Sequence, residues 1–92
     1  MPKVKFFGSL RQRAGCPQLE LSGDTVRKIL QDLCAGKPDL CSAIFTANQT
    51  GIRPHIRIML NGRDIEMLQG FETPVSETDT IAIIPPIAGG FL

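Results

Sequence analysis

The sequence predicts an α+β domain in which a mixed sheet of four to five strands packs on one main helix. Two patterns carry that expectation: polar–apolar alternation toward both ends of the chain, and between them a stripe of apolar residues at helical spacing. With 92 residues, against roughly 150 for a typical domain, there is room for one core.

Lys3-Val4-Lys5-Phe6-Phe7 alternates and predicts a strand with Val4 and Phe6 on one face and Phe7 on the other. The stretch from Gly8 to Pro17, bounded by Gly and Gly/Pro, reads as a loop with room for one helical turn. Gln18-Leu19-Glu20-Leu21 alternates again, as a short second strand. Asp24 or Thr25 then supplies a helix cap, because a side-chain oxygen can accept from the unpaired N–H groups of a first turn. Val26, Ile29, Leu30, Leu33 and Cys34 follow on one stripe, with Arg27, Lys28, Gln31 and Asp32 on the wet side. Gly36 and Pro38 end that helix. A shorter helix runs from Asp39 to about Phe45, before a polar stretch from Thr46 to Gly51.

Period two returns in the second half, where Ile56, Ile58 and Leu60 alternate with His55, Arg57 and Met59. Asn61-Gly62 tolerates positive φ at both centres of a tight turn, so a hairpin with Arg63 to Glu66 is expected. Gln69 to Asp79 is turn-rich and reads as irregular chain. Thr80-Ile81-Ala82-Ile83-Ile84 is a nearly unbroken apolar run, which suits a central strand beside the first; Pro85-Pro86 stops it. That order is the order of a β-grasp, with residues 1–86 as the domain and 87–92 as a flexible tail.

Composition excludes several functions. Ten Lys+Arg against nine Asp+Glu, spread along the chain, form no polyelectrolyte surface for nucleic acid or acidic lipid. No apolar run is long enough to span a bilayer, and the amino end lacks a secretory signal, so a cytoplasmic location is expected. Three cysteines, at 16, 34 and 41, with no C-x-x-C pair argue against a disulfide framework or zinc site; Cys34 reads as a core residue, whereas Cys16 and Cys41 are candidates for exposure. His55 lacks a ligand set and reads as a surface or structural histidine rather than a catalytic base, and no nucleophile elbow, zinc motif or phosphate loop is present. An autonomous enzyme is therefore not expected. The tail is different: two glycines after a rigid Pro-Pro stop form a thin strip able to thread a channel where a Cβ would clash, although glycine is also common in idle termini.

Three separated pieces agree with one family. Lys3 through Gly15, with paired aromatics and Arg11, resembles the opening of the MoaD/ThiS-type ubiquitin-like sulfur carriers, above all the MoaD-type small subunit of molybdopterin synthase. Thr73-Pro74-Val75 and Asp79 through Gly90 resemble that family's ending, an Asp before the last strand, then Pro-Pro and Gly-Gly; Leu60-Asn61 matches a middle strand. The resemblance implies a β-grasp carrier whose chemistry lies at the carboxylate of Gly90. A partner spends ATP to adenylate it, a sulfur donor displaces AMP, and the thiocarboxylate passes sulfur to a precursor pterin in the larger synthase subunit, for a molybdenum or tungsten cofactor. No permanently bound cofactor and no metal are implied, and the chain alone is a non-catalytic carrier, or the small subunit of that synthase.

The same resemblance implies that Phe7, Ile84, Pro85, Pro86, Gly89 and Gly90 meet the partners, with Arg11 as a polar contact at the rim. Two departures stand out. Ile84 replaces the usual aromatic before Pro-Pro, and Gly90 is joined to Phe91-Leu92 rather than ending the chain, which implies removal of Phe91 and Leu92 by a peptidase. Carriers for thiamin or sulfur amino-acid synthesis, and protein modifiers conjugated through Gly90 to lysine, are the alternatives; a plain interaction module with an idle tail is a third.

Overall fold

In the computed structural model, residues 1–46 and 51–85 are described. The tail, 87–92, and Pro86 lie outside them. Five strands form one sheet in the order β2-β1-β5-β3-β4: β1 (Lys3–Phe6), β2 (Gln18–Glu20), β3 (Arg57–Leu60), β4 (Arg63–Asp64) and β5 (Thr80–Ile84). β1 and β5 run parallel, with Val4 beside Ile81 and Phe6 beside Ile83; every other pairing is antiparallel. The expected central position of the last strand, beside the first, is what the apolar run delivers: Ile81 and Ile83 are buried.

Three helices accompany the sheet: α1 (Ser9–Ala14), α2 (Val26–Gly36) and α3 (Pro38–Ile44). In α2 the Thr25 hydroxyl oxygen accepts from the Lys28 N–H at 3.2 Å, as the capping signal predicts. Val26, Ile29, Leu30 and Leu33 are buried, a stripe contributing roughly 1.5–3 kcal/mol per side chain in apolar burial. They share one core with Val4, Phe6, Ile58, Leu60, Ile81 and Ile83 of the sheet. This arrangement is the β-grasp, or ubiquitin-like, fold.

Four expectations are corrected. The stretch after β1 holds a six-residue helix, α1, because Leu10 and Ala14, four residues apart, both find the core. β2 stops at Glu20, one residue early: the Leu21 N–H still donates to the Pro2 carbonyl at 3.1 Å, but Pro2 opposite has no N–H to return. The return strand of the hairpin is only Arg63–Asp64: the Asp64 carboxylate accepts from the Glu66 N–H at 2.9 Å and caps a 3-10 turn, Ile65–Met67, that drives Ile65 into the core. Cys34 and Cys41 form a disulfide, with Cα atoms 5.0 Å apart, and Cys41 is buried. Linear spacing argued against a framework, but the corner at Gly36-Lys37-Pro38 folds α3 back along α2 and brings the two thiols together.

The hairpin turn and the start of β5 are clasped together. Asn61 and Gly62 take positive φ, 51° and 86°, as a two-residue turn requires. The Asn61 side chain then does more than turn the chain: its amide NH2 donates to Asp79 and its carbonyl accepts from the Thr80 N–H, each at 2.9 Å. The other Asp79 oxygen accepts from the Ser76 N–H at 2.8 Å. That backbone hydrogen bond, followed by the one from Asn61, holds the Asp79 carboxyl below its ordinary value of 3.8. The ionised form is therefore favoured by folding. Its contribution is complete above the ordinary carboxylate value and is lost as pH falls through the lowered one. Asp79→Asn is expected to flatten the acid limb of Tm against pH below about pH 4; an acid limb identical to that of the parent chain would show that the clasp carries no such linkage.

Candidate functional site

The carboxyl ends of β1 and β5 lie side by side because the two strands are parallel. Phe6 pairs with Ile83, so Phe7 and Ile84 are the next neighbours along the same register. Alternation puts Phe6 in the core and turns Phe7 out, where it remains 38% exposed; Ile84 is half-buried. On the same outer face Ala82 stands opposite Met59 and Ile84 opposite Arg57, while Lys5 flanks Ala82 from β1. The outcome is a short apolar strip, Phe7, Ile84, Ala82 and Met59, with cations at its borders. Arg57 is fixed there by Asp64, Nη1 to Oδ2 at 2.9 Å.

Met59 was not singled out by sequence reasoning. Its signal was the alternation itself: with Ile58 and Leu60 inside, Met59 must face outward, and only the pairing with β5 shows that it extends the strip begun by Ile84.

Pro85 follows directly on the strip and is held from below by Gly8. The Gly8 backbone has φ +56° and ψ −134°, a region closed to residues with a side chain, and a Cβ there would stand 2.9 Å from Pro85 Cγ and 3.8 Å from its Cδ. The end of the first strand thus sets the position of the last described residue before the tail. Arg11 stands close by on α1, where its Nε donates to the Phe6 carbonyl at 3.3 Å and ties the helix back to the strand it follows.

The structure therefore brings Phe7, Arg11, Ile84 and Pro85 to one end of the sheet. Pro86, Gly89, Gly90, Phe91 and Leu92, the remaining sequence-predicted site residues, lie outside the described residues. His55 is exposed, in the turn before β3 rather than in the strand, with φ 69°. Cys16 is the free cysteine among the described residues, its thiol near the Ala14 carbonyl at 3.8 Å. No group of three or more His, Cys, Asp or Glu residues is placed to hold a metal ion among the described residues. What this end of the molecule offers among the described residues is a short apolar strip bordered by cations, ending at Pro85.

Gly8→Ala combines a forbidden φ with a clash against a rigid ring, so it is expected to cost roughly 1–3 kcal/mol of unfolding free energy in urea titrations. Gly36→Ala, with open space around the added methyl, serves as the comparison; equal effects would show that Gly8 does not seat Pro85.

Comparison with known proteins agrees with this geometry. The solution structure of small archaeal modifier protein 1 from Methanosarcina acetivorans superposes with a TM-score of 0.87 at 38% identity, covering 97% of this chain and 95% of that one. A chain of the Amycolatopsis orientalis BexX/CysO complex gives 0.86 at 25% identity, over 98% and 100%. Small archaeal modifier protein 3 of Haloferax volcanii is 28% identical over 91 residues, 96% of this chain and 97% of that protein. The ThiS family profile matches residues 4–90, and the chain belongs to the ThiS family of ubiquitin-like sulfur carriers and modifiers.

Proposed function

We propose that this chain is a sulfur carrier loaded at Gly90 after removal of Phe91-Leu92. The observation that carries this reading is the seating of Pro85 beside the apolar strip of Phe7, Ile84, Ala82 and Met59, in a chain whose Gly89 and Gly90 follow that proline by four and five residues in sequence. The family match ends at residue 90, which leaves Phe91 and Leu92 beyond it.

The chemistry needs no side chain of this protein. A carboxylate is a poor electrophile at neutral pH, so an activating enzyme of the ubiquitin-activating type joins a Gly90 carboxylate oxygen to the α-phosphorus of ATP and releases pyrophosphate. Hydrosulfide, the sulfide-level donor, then attacks the acyl carbon, AMP leaves with the electron pair of the broken C–O bond, and loss of the sulfur-bound proton leaves the thiocarboxylate. ATP belongs to the activating enzyme and no cofactor stays on the carrier. The small residues Gly89 and Gly90 fit a narrow passage, Phe7 and Ile84 supply apolar contact, Arg11 orients the partner at the rim, and Pro85-Pro86 gives the tail a stiff base.

The acceptor we favour is the large subunit of a molybdopterin synthase, supported by the agreement of both chain ends with the MoaD-type pattern. A second reading, conjugation through Gly90 to protein lysines, is supported by similarity to proteins named small archaeal modifiers. Both share the activation step.

Intact mass of the chain recovered from its native cells separates them. A loss of Phe91 plus Leu92 with an oxygen-to-sulfur increment is expected for the carrier, whereas a ladder of heavier conjugates under denaturing conditions supports the modifier; an unaltered chain ending at Leu92 counts against both. Phe7→Ala is expected to weaken the complex with the activating enzyme about tenfold while leaving Tm within a few degrees. Parallel loss of stability and binding would place Phe7 in the core instead.

A further inference from the structure

A second feature lies beside the same exit. Ser9, Leu10 and Arg13 of α1, Ser42 and Ala43 of α3, Arg53 and Ile56 of the segment leading to β3, and Pro85 enclose an open cleft of about 460 Å³. Leu10, Ala43, Ile56 and Pro85 supply the apolar part of its lining, and Arg13 and Arg53, both exposed, supply two guanidinium groups. Arg53 is oriented by its Nε, which donates to the Ser42 carbonyl at 2.7 Å. The cleft contains no Asp or Glu, and among the described residues neither Arg13 nor Arg53 has a carboxylate within 4.0 Å. The contrast is Arg27 in the groove between α2 and Phe71, which already meets Glu72 at 2.6 Å and lies 5.5 Å from the Phe71 ring centre.

We infer that the Arg13–Arg53 cleft receives an acidic segment of the enzyme that activates the tail. Resting on the carrier reading above, this names the chemistry of the partner. Gly90 lies five residues beyond Pro85, so, however residues 86–90 run, the reacting carboxylate is at most roughly 17 Å from Pro85. An enzyme that encloses Gly90 must therefore press its surface against the rim on which Pro85 and this cleft sit. Paired arginines present forked donors that match carboxylates, and a partner that covers this open cleft shields each such contact from water and strengthens it. Charges at this place also speed productive encounter, because they orient the carrier with its tail toward the partner.

The test is ATP–pyrophosphate exchange by the activating enzyme, with the carrier trimmed to Gly90. Arg13→Glu/Arg53→Glu is expected to raise KM for the carrier about tenfold or more, with kcat within about twofold, and high salt should narrow the gap by raising the parent's KM. Because Arg53 also bridges to α3, Arg13→Glu alone, at a residue with no side-chain hydrogen bond among the described residues, gives a second measure; its KM is expected to rise by a smaller factor at unchanged Tm. A lysine pair, Arg13→Lys/Arg53→Lys, should recover much of the lost KM. If the parent chain supports exchange and both glutamate variants match it in KM, the cleft has no such role. If the parent chain supports no exchange at all, the carrier reading fails, and this inference falls with it.

Discussion

The parallel pairing of β1 with β5 is the constraint from which the rest of the molecule follows. Two strands from opposite ends of the chain lie side by side at the centre of the sheet, and their alternate residues, Val4, Phe6, Ile81 and Ile83, supply the layer on which α2 packs. A parallel pair cannot be closed by a tight turn, so the intervening chain has room both to cover this layer with α2 and to add β2, β3 and β4 to the sheet's flanks. Parallel strands also end together. The Phe7-Gly8 bend and the Ile84-Pro85 exit meet for that reason, and each gives the other its environment: Phe7 widens the apolar strip of Ile84, and Gly8 makes room for Pro85.

The segments around this centre add residues to the same core, Leu10, Leu40, Ile44 and Ile65 among them, and are fastened by local polar devices. Thr73 is buried, its hydroxyl donating to the Gly70 carbonyl at 2.7 Å and accepting from the Gln69 N–H at 3.0 Å, while its own carbonyl accepts from the first N–H of α2. Asp79 and Asn61 perform the same service at the other end of β5's entry. The disulfide between Cys34 and Cys41 closes the corner from α2 to α3. Together these fix the entry to the last strand and the α2–α3 corner beside the cleft, so that these surfaces are preorganised.

On the carrier reading proposed above, the side chains serve recognition. A carrier's reactivity is conferred by another enzyme, and its own side chains have only to be recognised. The chemically informative features are accordingly a glycine pair, a proline stop, an exposed phenylalanine and the distribution of arginines, none of which is a catalytic motif by spacing.

Much of this was legible in the chain itself. The α2 stripe, its Thr25 cap, the Asn61-Gly62 turn and the central placing of Thr80 to Ile84 all depend on residue spacing and local backbone preference, which are properties of short stretches. Phe7 facing outward follows from alternation alone. Other features had no local signature. The helix at Ser9–Ala14 forms because Leu10 and Ala14 meet a core built by distant strands, and Cys34 meets Cys41 because a helix corner turns by a particular angle. Met59 joins Ile84, Pro85 rests on Gly8, and Arg13 faces the same cleft as Arg53 across separations of 25, 77 and 40 residues. Periodicity says which way a side chain points, but what it meets there depends on strand register and helix packing, and those are fixed only when the whole core closes.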